Sequence, residues 1–356
     1  MDIKIEKLDE SQLRPVPEDF GFGNVFANRM YSQEYADGSW GEAKIGAYSD
    51  FTMSPASSVF HYGQEIFEGL KAYRRPDGHV NLFRPWENAK RFNNSASRMS
   101  MPMVDVEDHV ASIAKLVEIE QEWVPSAAGS SLYVRPTMIA TDSALGMRAS
   151  SRYKHFVIVG PVGNYYASGM APVAVYISDE YRRAAHGGTG AAKTGGNYAA
   201  SMIASEQAKQ KGYVQVLWID SAQGKYVEEV GTMNIMFVYG GKKIVTPKLT
   251  GSILPGITRD SLLKMAPDLG YEVVEEMIEV EQMLADIESG AITEVFGCGT
   301  AVVVSPVGRF GYRGKDYCLD ETNVGPVAQH LYDELTAIQF GRKEDPYGWT
   351  MKIEVE

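Results

Sequence analysis

The chain has 356 residues, which is enough for two domains of ordinary size. Hydrophobic residues make up 44% of it and charged residues 22%, a composition typical of a globular protein with a large core. The net charge is −12, which argues against a nucleic-acid binder because such proteins need a basic surface. No stretch approaches the roughly 18 consecutive apolar residues of a membrane-spanning helix. The mixed charges of residues 1–12 resemble neither a secretory signal nor a transit peptide, which favours a cytoplasmic protein.

The first half of the chain mixes predicted helices and strands. A helix is predicted over residues 86–99, and a second over 105–122, where apolar residues recur on one face and Asp105 is a suitable N-cap. Residues 131–140 and 155–162 are rich in β-branched and aromatic side chains, so they are predicted strands.

The second half begins after residues 163–170, whose glycine, serine and aromatic content marks the best candidate for a connection between domains. Strands are predicted over 171–178, 213–220 and 234–239, and helices over 197–211, 258–269, 280–289 and 326–340. A glycine follows each predicted helix, as is common at helix ends: Gly212, Gly270, Gly290 and Gly341. The Gly240-Gly241 step predicts a two-residue hairpin. This order of elements indicates two α/β or α+β domains.

Cysteine and histidine spacing exclude two further kinds of site. Cys298 and Cys318 cannot build a disulfide framework and form no CxxC motif, so reduced thiols are expected. The six histidines do not fall into metal-binding spacings such as HExxH, so no dedicated metal site is expected.

The most unusual segment is 187–199, in which five glycines surround Lys193. A phosphate-binding P-loop is one interpretation, but Ala192 stands where that motif needs glycine, and no strand directly precedes the segment. A second interpretation is a lysine that glycines present to a ligand in a pocket, where a partly neutral amine can form a Schiff base. A surface lysine in a glycine-rich loop is the plain alternative.

A Schiff-base lysine that binds pyridoxal phosphate needs further groups, and the sequence offers a candidate for each. Glu228 and Glu229, just before a glycine and a strand, could pair with the pyridine nitrogen. Thr258 is a predicted N-cap whose helix could bind an anion. The Gly-Thr step at residues 299–300 is a second candidate anion site. Arg91 could add charge to the phosphate site, and Tyr198 could donate to the ring oxygen.

Six motifs in order carry a resemblance that runs from about Phe20 to Gly341. They are HYGQEIFEGLKAYR (61–74), SLYVRPTMIA (131–140), GGTGAAKTGGNYAAS (187–201), EEVGTMNIMFV (228–238), SILPGITRDSLL (252–263) and FGCGTAVVVSPV (296–307). With them, the chain resembles the branched-chain amino-acid aminotransferases, which are pyridoxal-phosphate enzymes of fold type IV.

The resemblance implies a role for each matching residue. Lys193 would be the Schiff-base lysine, with Glu229 on the pyridine nitrogen and Tyr198 on the ring oxygen. The implied phosphate ligands are Arg91, Ile257, Thr258 and Thr300. The implied substrate residues are Phe22, Tyr62, Tyr133, Arg135, Tyr165, Thr232, Thr300 and Ala301, together with Leu145 and Met147 on a loop that enters from the partner of a homodimer.

The implied fold has a small α/β domain over 1–163, a connecting loop over 164–173 and a large domain over 174–356 that carries Lys193. The cofactor would lie at the domain interface. The implied reaction is transamination of Leu, Ile and Val with 2-oxoglutarate, which yields branched-chain 2-oxo acids and glutamate. Alternatives that stay open are a D-amino-acid aminotransferase, an aminodeoxychorismate lyase and, from a different class, a P-loop nucleotide-binding protein.

Overall fold

The computed structural model describes residues 1–163 and 169–354, and these form two compact units. The first unit contains residues 1–163, Ala192–Gly195 and residues 337–354, and the second contains residues 169–191 and Gly196–Thr336. Each unit is built on its own sheet with its own core. The two sheets fit the predicted mixed α/β fold class.

The first unit has a ten-stranded, mainly antiparallel sheet within the described residues. Its elements are β1 (Ile3–Ile5), β2 (Arg29–Ala36), β3 (Ser39–Trp40), β4 (Ala43–Ala47), α1 (Ser58–Tyr62), β5 (Glu65–Phe67), β6 (Leu70–Arg74), β7 (Val80–Phe83), α2 (Pro85–Arg98), α3 (Val106–Ile119), β8 (Ser131–Ala140) and β9 (Tyr153–Val162). The strand order is β1-β4-β2-β9-β8-β6-β7, followed by a last strand from the C-terminal end of the chain, and β3 and β5 pair with β2 and β8.

The second unit has a nine-stranded mixed sheet in the part of the chain described. The elements of the second half of the chain are β10 (Val173–Ile177), α4 (Gly195–Ala199), α5 (Met202–Gln210), β11 (Gln215–Ile219), β12 (Val227–Val230), β13 (Asn234–Tyr239), β14 (Lys243–Pro247), α6 (Ile257–Met265), β15 (Glu272–Glu276), α7 (Val280–Glu288), β16 (Ile292–Gly299), β17 (Val303–Tyr312), β18 (Lys315–Cys318), α8 (Pro326–Gln339) and β19 (Thr350–Ile353). The order is β12-β11-β10-β17-β16-β13-β14-β15, with β18 beside β17.

Two segments of the second half group by contact with the first unit, whereas the sequence placed both in the large domain. Strand β19 pairs antiparallel with β7 and so completes the first sheet. Residues Ala192–Gly195 are held there because the Phe67 N–H donates to the Lys193 carbonyl. Long-range pairing of this kind leaves no local signal in the sequence.

Most predicted elements are confirmed, and the differences have local causes. The predicted helix 197–211 is two helices, α4 and α5, because Ser201 Oγ donates to the Tyr198 carbonyl at the break. The predicted helix 258–269 leaves regular α geometry after Met265, since Pro267 supplies no N–H. The hairpin between β13 and β14 has three connecting residues rather than two, because Tyr239 pairs with Lys243.

Asp105 is confirmed as an N-cap, since its side chain accepts a hydrogen bond from the Asp108 N–H. The glycines predicted at helix ends all have positive φ angles, from 64° to 88°. Across residues 1–163 and 169–354, the helices are too short or too polar to span a bilayer. The same residues contain no cluster of three or more His, Cys, Asp or Glu side chains suited to a metal ion.

Candidate active site

Lys193 is fixed in the first unit by its backbone and its neighbours. Its N–H donates to Ser95 Oγ at 2.9 Å, and its carbonyl accepts the Phe67 N–H at 3.0 Å. The next residue, Thr194, donates through Oγ1 to the Glu65 carbonyl at 2.7 Å. The Lys193 Nζ lies 5.1 Å from the centroid of the Phe67 ring. The amine therefore projects from a firmly held backbone toward an aromatic face.

Arg135 approaches the same Phe67 ring, with its guanidinium carbon 4.8 Å from the ring centroid. Its Nη2 donates to the Tyr133 hydroxyl at 3.0 Å, and Phe22 packs edge-on against Tyr133 at 5.8 Å between ring centroids. The hydroxyl of Tyr133 lies so close to Gly69 that a Cβ there would overlap it. Three predicted substrate residues, Phe22, Tyr133 and Arg135, thus form one cluster with Phe67, which the sequence did not single out.

Arg91 is buried in α2 and forms a two-point ion pair with Glu68, at 2.7 Å from Nε and 2.9 Å from Nη2. Asn88 Nδ2 and the Gly69 N–H also donate to Glu68. Burial raises the pKa of Glu68, but the Arg91 charge, its hydrogen bonds and the Lys193 charge together hold it below its usual value. Arg91, the predicted phosphate ligand, is therefore held rigidly beside an ionised carboxylate.

Lys71 is a second lysine of chemical interest, on β6 opposite Tyr133 of β8. It is buried, and burial lowers the pKa of its amine to about 8. The position of Lys71 in the motif 61–74 did not predict its burial, since an alternating pattern alone does not show which lysine is buried.

A small pocket in the second unit brings together Tyr198, Glu229 and Thr232, three residues predicted from the sequence. Glu229 is buried and ion-paired with Arg183, and Asn234 Nδ2 donates to its Oε1 at 3.3 Å. The pocket thus presents a buried carboxylate and a phenol to the same space.

Arg183 was missed by sequence reasoning, although it lies four residues before the glycine-rich segment. Besides Glu229, its Nη2 donates to the carbonyls of Gly190 (3.2 Å) and Ser252 (2.5 Å). A Cβ on Gly190 would overlap the Ser252 carbonyl, so the close approach requires glycine. The Arg183 guanidinium therefore connects three parts of the second unit: the glycine-rich segment, the loop that contains Ser252, and the carboxylate of Glu229.

Glu228, the other member of the acidic pair, points elsewhere. Ser252 Oγ donates to its Oε1, and its Oε2 is buried with no hydrogen-bond partner in the described residues. Burial raises the pKa of Glu228, while the Ser252 hydrogen bond and the Arg183 charge oppose that rise. Of the two carboxylates, only Glu229 lines the pocket.

Helix α6 begins at Ile257, and its N-cap is Gly256, so the prediction of Thr258 as N-cap is wrong. A Cβ on Gly256 would overlap the Asn234 side-chain oxygen, which explains why a glycine occupies the cap. Asn234 Nδ2 also donates to the Leu254 carbonyl at 3.0 Å. Asn234, missed from the sequence, therefore connects Glu229 with the loop that leads into α6.

Thr300 and Ala301 lie half-buried in the turn between β16 and β17. The turn ends at Val303, whose φ of 63° is unusual for a β-branched residue and costs about 1–3 kcal/mol. Just before the turn, Cys298 is buried, and burial raises the pKa of its thiol to about 12. The thiol is thus an unreactive packing group.

Three other predicted residues lie on an exposed part of the first unit. The Tyr62 hydroxyl donates to the Leu145 carbonyl, and the side chains of Leu145 and Met147 are 65% and 88% exposed. The remaining predicted substrate residue, Tyr165, lies outside the described residues.

Comparison with known proteins decides the family. The family model of amino-transferase class IV matches residues 65–310. The chain belongs to the class IV aminotransferases.

Full-length relatives include a probable branched-chain-amino-acid aminotransferase of Staphylococcus epidermidis, 47% identical over 99% of this chain and 98% of the relative. Branched-chain-amino-acid transaminase 1 of Bacillus subtilis is 46% identical over 99% of both chains. The family resemblance and the assignment as an aminotransferase are confirmed, and the P-loop alternative is wrong.

Solved class IV structures share the fold. Branched-chain amino acid aminotransferase of Escherichia coli has a TM-score of 0.74 and 26% identity, covering 91% of this chain and 99% of its own. The T.th. branched-chain amino acid aminotransferase has a TM-score of 0.74 and 27% identity, covering 90% of this chain and 98% of its own. That protein is known in complex with N-(5'-phosphopyridoxyl)-L-glutamate, with pyridoxamine 5'-phosphate and with 4-methylvaleric acid. The predicted type IV fold is confirmed.

Proposed function

We propose that this class IV aminotransferase transfers the amino group of leucine, isoleucine or valine to 2-oxoglutarate, using pyridoxal 5'-phosphate. The observation that carries the proposal is the pocket in which buried Glu229 and Tyr198 converge, in a chain with full-length relatives named for this activity. The ligands of the T.th. enzyme support it, since they include a phosphopyridoxyl glutamate and a branched aliphatic acid.

The residues present fit the cofactor chemically. A buried carboxylate suits a protonated ring nitrogen, and Glu229 is such a group at the pocket wall. The phenol of Tyr198 suits the ring oxygen. The first N–H groups of α6, with Thr258, suit a phosphate, as helix N-termini do in general. Arg91 and Thr300 are further proposed phosphate ligands, and Lys193 would hold the cofactor covalently.

When bound, pyridoxal phosphate supplies a ring that accepts the electrons released at the substrate Cα. Lys193, once its amine is free of the cofactor, would take the Cα proton as general base and then, as general acid, deliver it to the cofactor carbon that carries the amino group. Glu229 would keep a proton on the ring nitrogen, and its ion pair with Arg183 orients the carboxylate. Asn234 restrains the same carboxylate from the loop side.

Arg135 is the proposed partner of the glutamate side-chain carboxylate. Its Nε is buried and has no hydrogen-bond acceptor among the described residues, so a donor is available for an anionic ligand. Phe67 and Tyr133 lie against the guanidinium, and Phe22 packs on Tyr133, so the cluster presents rings that suit an aliphatic side chain. One cluster can therefore accept both substrates, with the arginine engaged only by the charged one.

Arg135→Ala tests this assignment. We expect kcat/KM for glutamate to fall roughly ten- to a hundredfold, the worth of a charge-assisted hydrogen bond, and to fall much less for leucine. Steady-state assays with each amino donor measure both values. Arg313→Ala is the matched control, since Arg313 is an exposed arginine in the turn between β17 and β18 of the second unit. Equal losses for glutamate and leucine would contradict the assignment.

We further propose that the loop carrying Leu145 and Met147 inserts into a second copy of the chain. Large apolar side chains as exposed as these are typical of a contact surface, and Phe60 in α1, the helix whose Tyr62 contacts Leu145, is 62% exposed. Met147→Asp should shift the sedimentation coefficient from dimer to monomer, because a charge at the centre of an interface is costly. An unchanged dimer would refute this role for the loop.

A reducing, cytoplasmic setting is proposed with the function. Its support is that Cys298 and Cys318 are both free thiols, as expected where disulfides do not form.

A further inference from the structure

A surface cavity of about 500 Å³ lies in the first unit, apart from every residue assigned above. It is lined by the end of β6 and the following turn, by residues 126–129 and by the chain just after α8. Three of its lining residues are arginines and none is acidic, although the chain as a whole has a net charge of −12. Such a local excess of positive charge attracts anions.

Arg74 forms one wall of this cavity and is anchored by backbone carbonyls alone. Its Nη1 donates to the Gly78 carbonyl at 2.8 Å, and its Nη2 donates to the carbonyls of Gln121 and Val124. Burial lowers the pKa of the guanidinium, and no carboxylate within residues 1–163 and 169–354 forms an ion pair with it. The side chain is therefore held rigidly while its charge stays uncompensated.

Arg75 differs, because Asp77 neutralises it. Its Nε lies 3.1 Å from both carboxylate oxygens of Asp77, and its Nη1 donates to Asn81 Oδ1 at 3.3 Å. This side chain shapes the cavity without adding net charge.

Arg342 supplies the second uncompensated charge. Its guanidinium carbon lies 4.9 Å from the centroid of the Phe340 ring, and Phe340 is itself packed edge-on against buried Tyr73. No carboxylate in the described chain pairs with Arg342. Stacking on a fixed ring orients the guanidinium and lowers the entropy lost when it binds a ligand.

We propose that this cavity binds a small multivalent oxyanion, either a polycarboxylate or a polyphosphate, between the guanidiniums of Arg74 and Arg342. The Arg342 guanidinium is a planar fork that matches carboxylate and phosphate oxygens, whereas Arg74, whose Nη groups already donate to backbone carbonyls, contributes mainly its positive charge. A net charge of two positive units favours a ligand with at least two negative charges. The site is independent of the substrate cluster around Arg135.

Isothermal titration of the holoenzyme with citrate and, separately, with pyrophosphate tests the site in a low-salt, phosphate-free buffer. We expect saturable binding of one anion per chain that weakens as sodium chloride is added. Arg342→Gln should weaken binding about tenfold, the worth of one charge-assisted contact, and Arg342→Lys should restore part of it. The control Arg313→Gln removes an arginine that stacks on Tyr312 in a similar way but pairs with Asp179. The tighter of the two probes identifies the ligand chemistry.

Three results would overturn the site. One is no saturation by either probe at millimolar concentration. Another is an equal loss of affinity in Arg342→Gln and Arg313→Gln. The third is loss of binding in Arg135→Ala but not in Arg342→Gln, which would place the anion in the substrate cluster. Binding of a DNA duplex that depends on Arg342, without binding of either small probe, would assign the surface to a macromolecular polyanion and refute the small ligand.

Discussion

Glu68 in the first unit and Glu229 in the second are both buried carboxylates paired with an arginine. Glu68 is fully enclosed: Arg91 reaches it with two nitrogens, and Asn88 and the Gly69 N–H complete its hydrogen bonds. Glu229 has a similar ion pair with Arg183 but also lines a pocket. The same chemical pair is thus sealed in one region and lines a small pocket in the other.

A buried ion pair is by itself weak evidence for function, because desolvation of two charges offsets their attraction. The two ion pairs differ in whether a ligand can reach the carboxylate. A carboxylate that lines a pocket beside a phenol can act on a ligand, whereas a sealed carboxylate can only hold its neighbours in place. Glu68 therefore fixes the orientation of Arg91, whereas the proposed role of Glu229 is to act on the ligand directly.

The largest effect is expected for Glu229→Gln. A carboxamide cannot hold a proton on the cofactor ring nitrogen, so kcat should fall roughly a hundredfold or more. The fold should persist, because Arg183 keeps the carbonyls of Gly190 and Ser252 as acceptors. Single-turnover rates with leucine measure the loss, and the melting temperature checks the fold. A near-normal rate would remove the electronic role of Glu229.

Glu68→Gln is the matched variant for the sealed pair. It removes the charged carboxylate that pairs with buried Arg91, so we expect a loss of about 3–5 kcal/mol in the free energy of unfolding. Activity per folded molecule should fall far less than in Glu229→Gln. A large activity loss with unchanged stability would reverse the contrast between the two pairs.

A smaller effect, on the pH dependence of stability, is expected from two buried histidines of the first unit. The rings of His109 and His155 stack at 5.0 Å, and none of their four nitrogens has a hydrogen-bond partner among the described residues. Burial lowers the pKa of His109 to about 4, although the charge of Glu68 opposes this, and burial holds the pKa of His155 well below its usual value.

An unfolded histidine has a pKa of about 6.5, so below that pH the unfolded chain binds protons that the folded chain does not. The stability conferred by the neutral rings is therefore present above about pH 6.5 and is lost as the pH falls toward 4, by up to about 1.4 kcal/mol per pH unit for each ring. Urea unfolding measured at several pH values in this range gives the free energy of unfolding as a function of pH. In His109→Phe this free energy should fall less steeply with decreasing pH than in the wild type. His330→Phe, at an exposed site, should keep the wild-type slope. An unchanged slope in His109→Phe would show that the core tolerates a charged ring.

Elements with strong periodicity or clear end signals were predictable from the sequence. The apolar stripe of α3 and its Asp105 cap are examples, as are the glycines that end the helices. Strands β5 and β6 were not found, because β5 is only three residues long and β6 is buried on both faces and shows no clean alternation. The placement of β19 in the first sheet depends on a contact with β7 far away in the chain.

The candidate site shows the same limit. Glu229 and Tyr198 were found because their motifs are specific to a family. Arg183, Asn234 and Phe67 were missed because their roles arise only when distant loops meet. The position of Arg183 just before the glycine-rich segment was the one available signal.

Identification of the amine that binds the cofactor tests the central claim most directly. The purified holoenzyme would be reduced with borohydride, digested and mapped by mass spectrometry. Lys71 is a demanding internal control, because burial lowers its amine pKa to about 8. The account predicts a pyridoxyl group on Lys193 alone. A pyridoxyl group on Lys71, or on no lysine, would contradict it.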